Sequence, residues 1–438
     1  MELQNQSSPT VDGSTTETKN TDPAKITNPL EMSYETERQS LKFGVLMSAY
    51  LMFQSTVGIS VFCLQKPFSD AGLLWSLAIS AFCCYVTTYG LLTILKLVHQ
   101  MESENEVKKR YQNLYSACHL LKGPHVPILK WLMTFACVGM MLTSTVSNLM
   151  MTTQSTEYAI GKYKCTFMIF VIISLLLIVI IEPEKIKGFT TLTTIIVMAV
   201  ATIFTLMNFS RFFTGQSSVK ISEIPMVRFE NTFTLTGNLI YAFELCSCYL
   251  SLRLTSSESV NYEWLTKRMM IFITFVYFVA GASFSLAFKP SEIHENAFEI
   301  YNQGFFRYFT FAYMLNTVYN FLTNTIFACE TLETIGWIRK LLVDEQDSLQ
   351  RRKLVIFRLI MWAFSIALSL VSGDQVTRFL NFSGSVFSPI VGFIGPLVYF
   401  YTYKINKGET ILPWRKLHDT IYVIVCIWIS IMGMRAAF

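Results

Sequence analysis

The sequence predicts an all-α, polytopic membrane protein, and two observations support that prediction. Apolar residues make up 52% of the chain and charged residues only 15%, a balance that suits lipid better than water as the main solvent. Several segments also run for about 20 residues with no charge, the length that an α-helix needs to cross a hydrocarbon core about 30 Å thick. The chain is therefore expected to cross a bilayer many times as helices.

Eleven transmembrane helices are predicted on this basis. They lie at residues 43–64, 73–98, 126–151, 165–181, 189–207, 233–254, 269–288, 306–329, 354–372, 380–403 and 417–437. Residues 1–40 precede them and are rich in Ser, Thr, Asn, Gln and Glu, a composition that cannot bury enough apolar surface to fold. We expect a disordered cytosolic tail at 1–40 and one transmembrane domain at 41–438.

The distribution of positive charge predicts the orientation. Most Lys and Arg residues fall in the N-terminal tail and in every second connection between predicted spans, as in residues 108–110 and 351–353. Cytoplasmic loops carry this excess in membrane proteins, so the N terminus is expected in the cytoplasm. The net charge of +5 is therefore read as a topology signal. Membrane lipid, and no nucleic acid, is the expected surrounding partner.

No catalytic or metal-binding constellation is recognisable. The ten cysteines and five histidines show no zinc-ligand spacing, and no phosphate-binding Gly-x-x-x-x-Gly-Lys loop occurs. We expect no enzymatic activity, no cofactor, no metal site and no disulfide framework.

The span at 43–64 is interrupted by polar and small residues. They are Gln54, Ser55, Thr56, Gly58 and Ser60. Unpaired backbone at membrane depth is tolerated where it lines a cavity or binds something, so a break here is a candidate ligand site. Close packing against another helix is the alternative explanation, because small residues also let membrane helices approach each other.

Several motifs resemble the amino acid/auxin permease family, a family of transmembrane amino acid transporters. The resemblance covers nearly the whole chain after residue 40. It is carried, in the expected order, by residues 57–65 (VGISVFCLQ), 68–72 (FSDAG), 241–244 (YAFE), 250–252 (LSL), 379–384 (FLNFSG) and 395–399 (GPLVY). Three positions depart from the family pattern: Ser60 replaces Gly, and Gln65 and Ser251 replace Pro.

The resemblance implies a LeuT-like fold of two inverted five-helix repeats plus one helix, with substrate between the first and sixth helices. Where a helix breaks, free N–H groups suit a carboxylate and free carbonyl groups suit an ammonium group or Na⁺. We expect the substrate carboxylate to meet the backbone of Thr56, Val57, Gly58, Ile59 and Ser60. The substrate amine is expected at the carbonyl groups around Tyr241, Ala242 and Phe243.

Glu244 is the one acidic residue near the middle of a predicted span. Burying a carboxylate in a bilayer is costly, so such a residue is a functional candidate, here as the carrier of a coupling proton. The alternative is a structural bond to a donor on a neighbouring helix, such as Asn148.

Three amides recur four residues apart in the span at 306–329, at Asn316, Asn320 and Asn324. Lipid cannot satisfy them, so this face is expected to point inward. With Thr317 and Thr323 they are candidate ligands of a coupling cation against the first helix. The alternative is a ladder of hydrogen bonds between helices.

The predicted function is secondary active transport of amino acids, coupled to H⁺ or Na⁺ and working by alternating access. The plasma membrane or a vacuolar or lysosomal membrane is the expected location. One alternative is an amino-acid sensor with the same fold, which binds without transporting, and the departures from the family's prolines favour that role. An unrelated multi-helix chemosensory receptor is a further alternative, which the eleven spans disfavour.

Overall fold

A computed structural model describes most of the transmembrane domain. The residues described are 43–104, 121–160, 174, 187–301, 307–333, 335–343, 350–372 and 376–437. Within these ranges the regular structure is helical, with one isolated parallel β-bridge between Phe43 and Ser256. The all-α prediction is confirmed for this part of the chain.

The described residues form fifteen α-helices, α1 to α15. In chain order they are α1 (Val45–Thr56), a 3-10 turn (Ile59–Phe62), α2 (Gln65–Ala71), α3 (Leu73–Glu104), α4 (Val126–Ile160), α5 (Lys187–Phe213), α6 (Thr232–Ala242), α7 (Tyr249–Thr255), α8 (Tyr262–Ala287), α9 (Ala297–Ile300), α10 (Arg307–Glu333), α11 (Gly336–Leu342), α12 (Arg351–Ser372), α13 (Val376–Ser388), a π-helical segment (Pro389–Ile394), α14 (Gly395–Asn406) and α15 (Pro413–Ala437).

Among the described residues, seven helical stretches are long and apolar enough to cross a membrane. They are Leu73–Ser103, Val126–Gln154, Thr191–Phe213, Tyr262–Ala287, Arg352–Val371, Val376–Asn406 and Pro413–Ala436. Each overlaps one of the predicted spans. Apart from Ser174, the predicted span at 165–181 lies outside the described residues.

Three further predicted spans, at 43–64, 233–254 and 306–329, are not among these seven stretches. The span at 43–64 contains α1 and the 3-10 turn, so it is interrupted after Thr56. The span at 233–254 is not continuous either, because α6 ends at Ala242 and α7 begins at Tyr249. Helix α10 covers the span at 306–329 in 27 residues, and its three asparagines reduce its apolar character.

A glycine sets the turn between α2 and α3. Gly72 has a φ of +89°, which favours glycine, and a Cβ there would lie 2.8–2.9 Å from backbone atoms of Pro225 and Met226. The N–H of Leu73 donates to the carbonyl oxygen of Pro225 at 2.9 Å. The start of α3 is thereby held against the segment that leads into α6.

Small residues bring the central helices close together. Helix α10 packs along α4, α8 packs against α3 and α5, and α13 packs against α6. At the α6–α13 contact, a Cβ on Gly384 would lie 2.0 Å from the carbonyl oxygen of Gly237. The two backbones can approach this closely because neither residue has a side chain, as is common between membrane helices.

We therefore expect Gly384→Ala to destabilise the protein. The added methyl group would have to push α13 away from α6, and overpacking of this kind costs about 1–3 kcal/mol. The measurement is the thermal unfolding midpoint of the purified protein in detergent. Gly44→Ala is the matched control, since no atom lies within 4 Å of a Cβ at Gly44. Equal midpoints for the two variants would contradict the proposed close contact.

Candidate functional site

The broken ends of α1 and α6 meet at one tyrosine of α8. The hydroxyl of Tyr277 donates to the carbonyl oxygen of Thr56 at 2.8 Å and to that of Ala242 at 2.9 Å. Thr56 is the last residue of α1, and Ala242 is the last residue of α6. A phenol has one hydrogen, so the two carbonyl groups share a single donor.

This convergence makes the region electrostatically suited to a positive group. The carbonyl end of a helix carries partial negative charge, and here two such ends face the same point. Tyr277 is fully buried, which excludes water that would weaken the effect. An ammonium group or an alkali cation could replace the shared hydroxyl hydrogen and satisfy both carbonyl groups at once.

The backbone after α1 supplies groups of the opposite sign. Gly58 precedes the 3-10 turn that starts at Ile59, and the first N–H groups of a helical turn have no partner within it. A Cβ on Gly58 would lie 3.0 Å from Nδ2 of Asn320 on α10. Glycine at this position therefore lets the break lie directly against α10.

Glu244 lies in the break between α6 and α7 and bonds within that break. Its Oε1 accepts the backbone N–H of Ser247 and its Oε2 accepts the Ser247 hydroxyl, both at 2.9 Å. The alternative partner Asn148 instead donates to the carbonyl oxygen of Ser144 at 2.8 Å. Among the described residues, Glu244 and Asn148 are not joined by a hydrogen bond. Glu244 is half-buried.

Two of the α10 asparagines meet α1 through Gln54. Nε2 of Gln54 donates to Oδ1 of Asn316 at 2.7 Å and to Oδ1 of Asn320 at 3.3 Å. Oε1 of Gln54 accepts the hydroxyl of Thr194, on α5, at 2.7 Å. These four residues, here called the amide cluster, tie the broken helix α1 to α5 and α10. Nδ2 of Asn316 has no hydrogen-bond partner in the described part of the chain.

The other three candidate ligands on α10 hydrogen-bond outside the amide cluster. Asn324 faces α4, where its Nδ2 donates to the hydroxyl of Ser144 at 2.8 Å. The hydroxyl groups of Thr317 and Thr323 bond to backbone carbonyl groups of α10 itself. Of the predicted cation ligands, the structure therefore brings only Asn316 and Asn320 to the first helix.

Sequence reasoning missed three residues of this site. Gln54 was visible as a polar residue inside a predicted span, but nothing assigned it a partner. Thr194 and Tyr277 lie in strongly apolar segments, and neither belongs to a motif. Their importance follows from contacts between helices that are distant in sequence.

Comparisons with known proteins agree with a transporter. The family model described as transmembrane amino acid transporter protein matches residues 42–438. A search of curated proteins found no match. Solved structures of the Eremococcus coleocola manganese transporter are similar in fold at 12% sequence identity. A complex with an aromatic bis-isothiourea substituted compound has a TM-score of 0.53 and covers 95% of this chain and 89% of that chain. A single-residue mutant of the same transporter has a TM-score of 0.52, and the match covers 89% of this chain and 87% of that chain.

The amide cluster leads to a stability prediction. Gln54→Leu would leave the Asn316 and Asn320 oxygens and the Thr194 hydroxyl without their buried partner, at a cost of about 2–4 kcal/mol. Thr194→Val removes the hydrogen bond to Gln54 and should cost about 1 kcal/mol. Thermal unfolding midpoints of the purified variants test this order. A Gln54→Leu protein as stable as Thr194→Val would show that the cluster does not hold α1.

Proposed function

Because this chain belongs to the transmembrane amino acid transporter family, we propose that it is a secondary active transporter of amino acids that works by alternating access. The observation that carries the proposal is the convergence of the α1 and α6 carbonyl ends on Tyr277. Transporters with broken helices use such ends to bind charged substrate groups near the bilayer midplane.

A zwitterionic amino acid matches the two kinds of group at the breaks. Its ammonium group has three hydrogens, so it can satisfy the carbonyl oxygens of Thr56 and Ala242 together, whereas the Tyr277 hydroxyl offers one. Its carboxylate would accept from N–H groups at Ile59 and Ser60, where the 3-10 turn begins. We propose that substrate binding exchanges Tyr277 for the amine at these carbonyl groups.

We also propose the eleven-helix architecture of two inverted five-helix repeats plus one helix. Breaks in the first and sixth spans support it, since α1 has 12 residues before its break and α6 has 11. Helices at equivalent positions of the two proposed repeats also pack together, α3 with α8 and α4 with α10. The N terminus is proposed to be cytoplasmic, in a plasma, vacuolar or lysosomal membrane.

Coupling to H⁺ or Na⁺ would use different groups. Glu244 is the proposed proton carrier, because a half-buried carboxylate beside the substrate site can gain and lose a proton as the site opens. Na⁺ would require the Asn316 and Asn320 oxygens, which Gln54 now occupies. Within the described residues no group of three or more His, Cys, Asp or Glu side chains could hold a metal ion.

Uptake of labelled amino acids into liposomes that contain the purified protein tests the function. We expect uptake that depends on an imposed pH or Na⁺ gradient. Glu244→Gln should abolish the response to a pH gradient, because the amide cannot carry a proton. Binding of amino acids with no uptake under either gradient would favour the sensor. Gradient-driven uptake that survives Glu244→Gln would exclude Glu244 as the carrier.

Tyr277→Phe should lower uptake at least tenfold while leaving the protein folded. Loss of the hydroxyl leaves two helix ends without a donor in the empty transporter, which disturbs the geometry of the site before substrate arrives. Tyr422→Phe is the matched control, since Tyr422 is also buried and donates to a backbone carbonyl group, that of Val86 at 2.8 Å. Similar uptake by the two variants would remove Tyr277 from the proposed site.

A further inference from the structure

A second candidate site lies away from the helix breaks. A cavity of roughly 600 Å³ opens where α3, α7 and α14 end and where α8 and α15 begin. Predicted topology places this end of the fold in the cytoplasm. The cavity is lined by residues of both charges, among them Lys96, Lys404, Arg415, Glu258 and Glu263.

Some of the lining charges are already neutralised. Arg253 forms two hydrogen bonds with Glu102 on α3, at 3.0 and 2.6 Å, so it is a fixed part of the wall. Glu263 pairs with Lys267 at 2.7 Å. Nε of Arg415 lies 3.7 Å from a carboxylate oxygen of the buried Asp419, which leaves the two terminal nitrogens of that guanidinium group, with Lys96 and Lys404, for a ligand to engage.

Those three cations line the same cavity, where an anion could meet them. Lys96 is exposed and forms no ion pair in the described part of the chain. Lys404 bonds Glu409; the lysine side chain is 13% exposed and the glutamate side chain 46% exposed, so a ligand phosphate could replace the exposed carboxylate as the partner of the half-buried ammonium group. The guanidinium group of Arg415 lies over the ring of Phe400, 4.1 Å from its centroid, which holds the side chain in place.

Two buried polar atoms of the lining lack partners. Tyr262 is only 5% exposed, and its hydroxyl has no hydrogen-bond partner among the described residues. Oε1 of Gln100 is also buried, and no residue that the structure describes bonds to it. The hydroxyl can donate to a phosphate oxygen, and the amide oxygen can accept from a ligand hydroxyl group. A ligand that carries both phosphate and hydroxyl groups would satisfy this pair.

Exposed tryptophans place the cavity at the level of lipid headgroups. Trp264 and Trp414, at the starts of α8 and α15, are 51% and 67% exposed. Tryptophan is enriched where a membrane helix meets the water interface. Trp264 neighbours the lining residue Glu263, and Trp414 neighbours Arg415, so the cavity lies between two interfacial anchors.

We propose that this cavity binds the headgroup of a phosphorylated inositol lipid. Basic pockets between helices on the cytoplasmic side are suited to such headgroups. The phosphate groups would meet Lys96, Lys404 and Arg415, and the inositol hydroxyl groups would meet Gln100. This site is independent of the proposed amino-acid transport.

The test measures the thermal unfolding midpoint of the purified full-length protein with added short-chain lipids. Dioctanoyl phosphatidylinositol bisphosphate should raise the midpoint, and dioctanoyl phosphatidylcholine should not. The Lys96→Gln/Lys404→Gln double variant should lose more than half of that increase. Lys407→Gln, which removes an exposed cation outside the cavity lining, should keep the native increase.

The proposal is overturned if the lipid gives no increase, if the double variant keeps it, or if phosphatidylcholine gives the same increase. An equal increase from water-soluble inositol trisphosphate at the same concentration would assign the site to a soluble phosphate and overturn the lipid. If the double variant does not fold, Tyr262→Phe replaces it, because it removes a buried ligand donor without changing charge. An undiminished lipid response in Tyr262→Phe would then contradict the proposal.

Discussion

The arrangement of the two broken helices depends on the hydrogen bonds from the Tyr277 hydroxyl, which the carbonyl groups of Thr56 and Ala242 share. Backbone groups in a bilayer must find partners within the protein, because lipid offers none. Helices α1 and α6 each end in mid-fold, and the same hydroxyl from α8 serves both last carbonyl groups. Gly281 on α8 assists, since a Cβ there would lie 2.7 Å from the ring of Phe68 on α2. The missing side chain lets α8 pack closely against the segment that follows the first break.

The sharing of one hydroxyl between two carbonyl groups also explains why the site can respond to a substrate. One donor divided between two acceptors leaves each carbonyl group incompletely satisfied, so a ligand with several donors can compete for both. Helix α1 is also held by its own Gln54, whose side chain bonds to Asn316 on α10 and to Thr194 on α5. A movement of α1 during alternating access would have to break bonds at Tyr277 and at Gln54. These two residues therefore link occupancy of the site to the position of the helix.

Much of the fold could be predicted from the sequence, because long apolar segments report on the solvent around them. The break at residues 57–58 could also be predicted from the small and polar residues of the first span. The partners of Gln54 could not, since Gln54 and Asn316 are 262 residues apart and only packing brings them together. All three asparagines of α10 were predicted to face the first helix, but only Asn316 and Asn320 do so. Eight residues along a helix rotate a side chain by about 80°, which turns Asn324 away from α1 and toward α4.

A structure determined with bound substrate would show whether the two helix breaks form an amino-acid site. Uptake assays would first identify an amino acid that the protein accepts. We expect the ammonium group of the bound amino acid to lie within hydrogen-bonding distance of the Thr56 and Ala242 carbonyl oxygens. The Tyr277 hydroxyl should then be displaced from at least one of these two oxygens. A bound amino acid elsewhere in the fold, with both Tyr277 hydrogen bonds intact, would contradict the account.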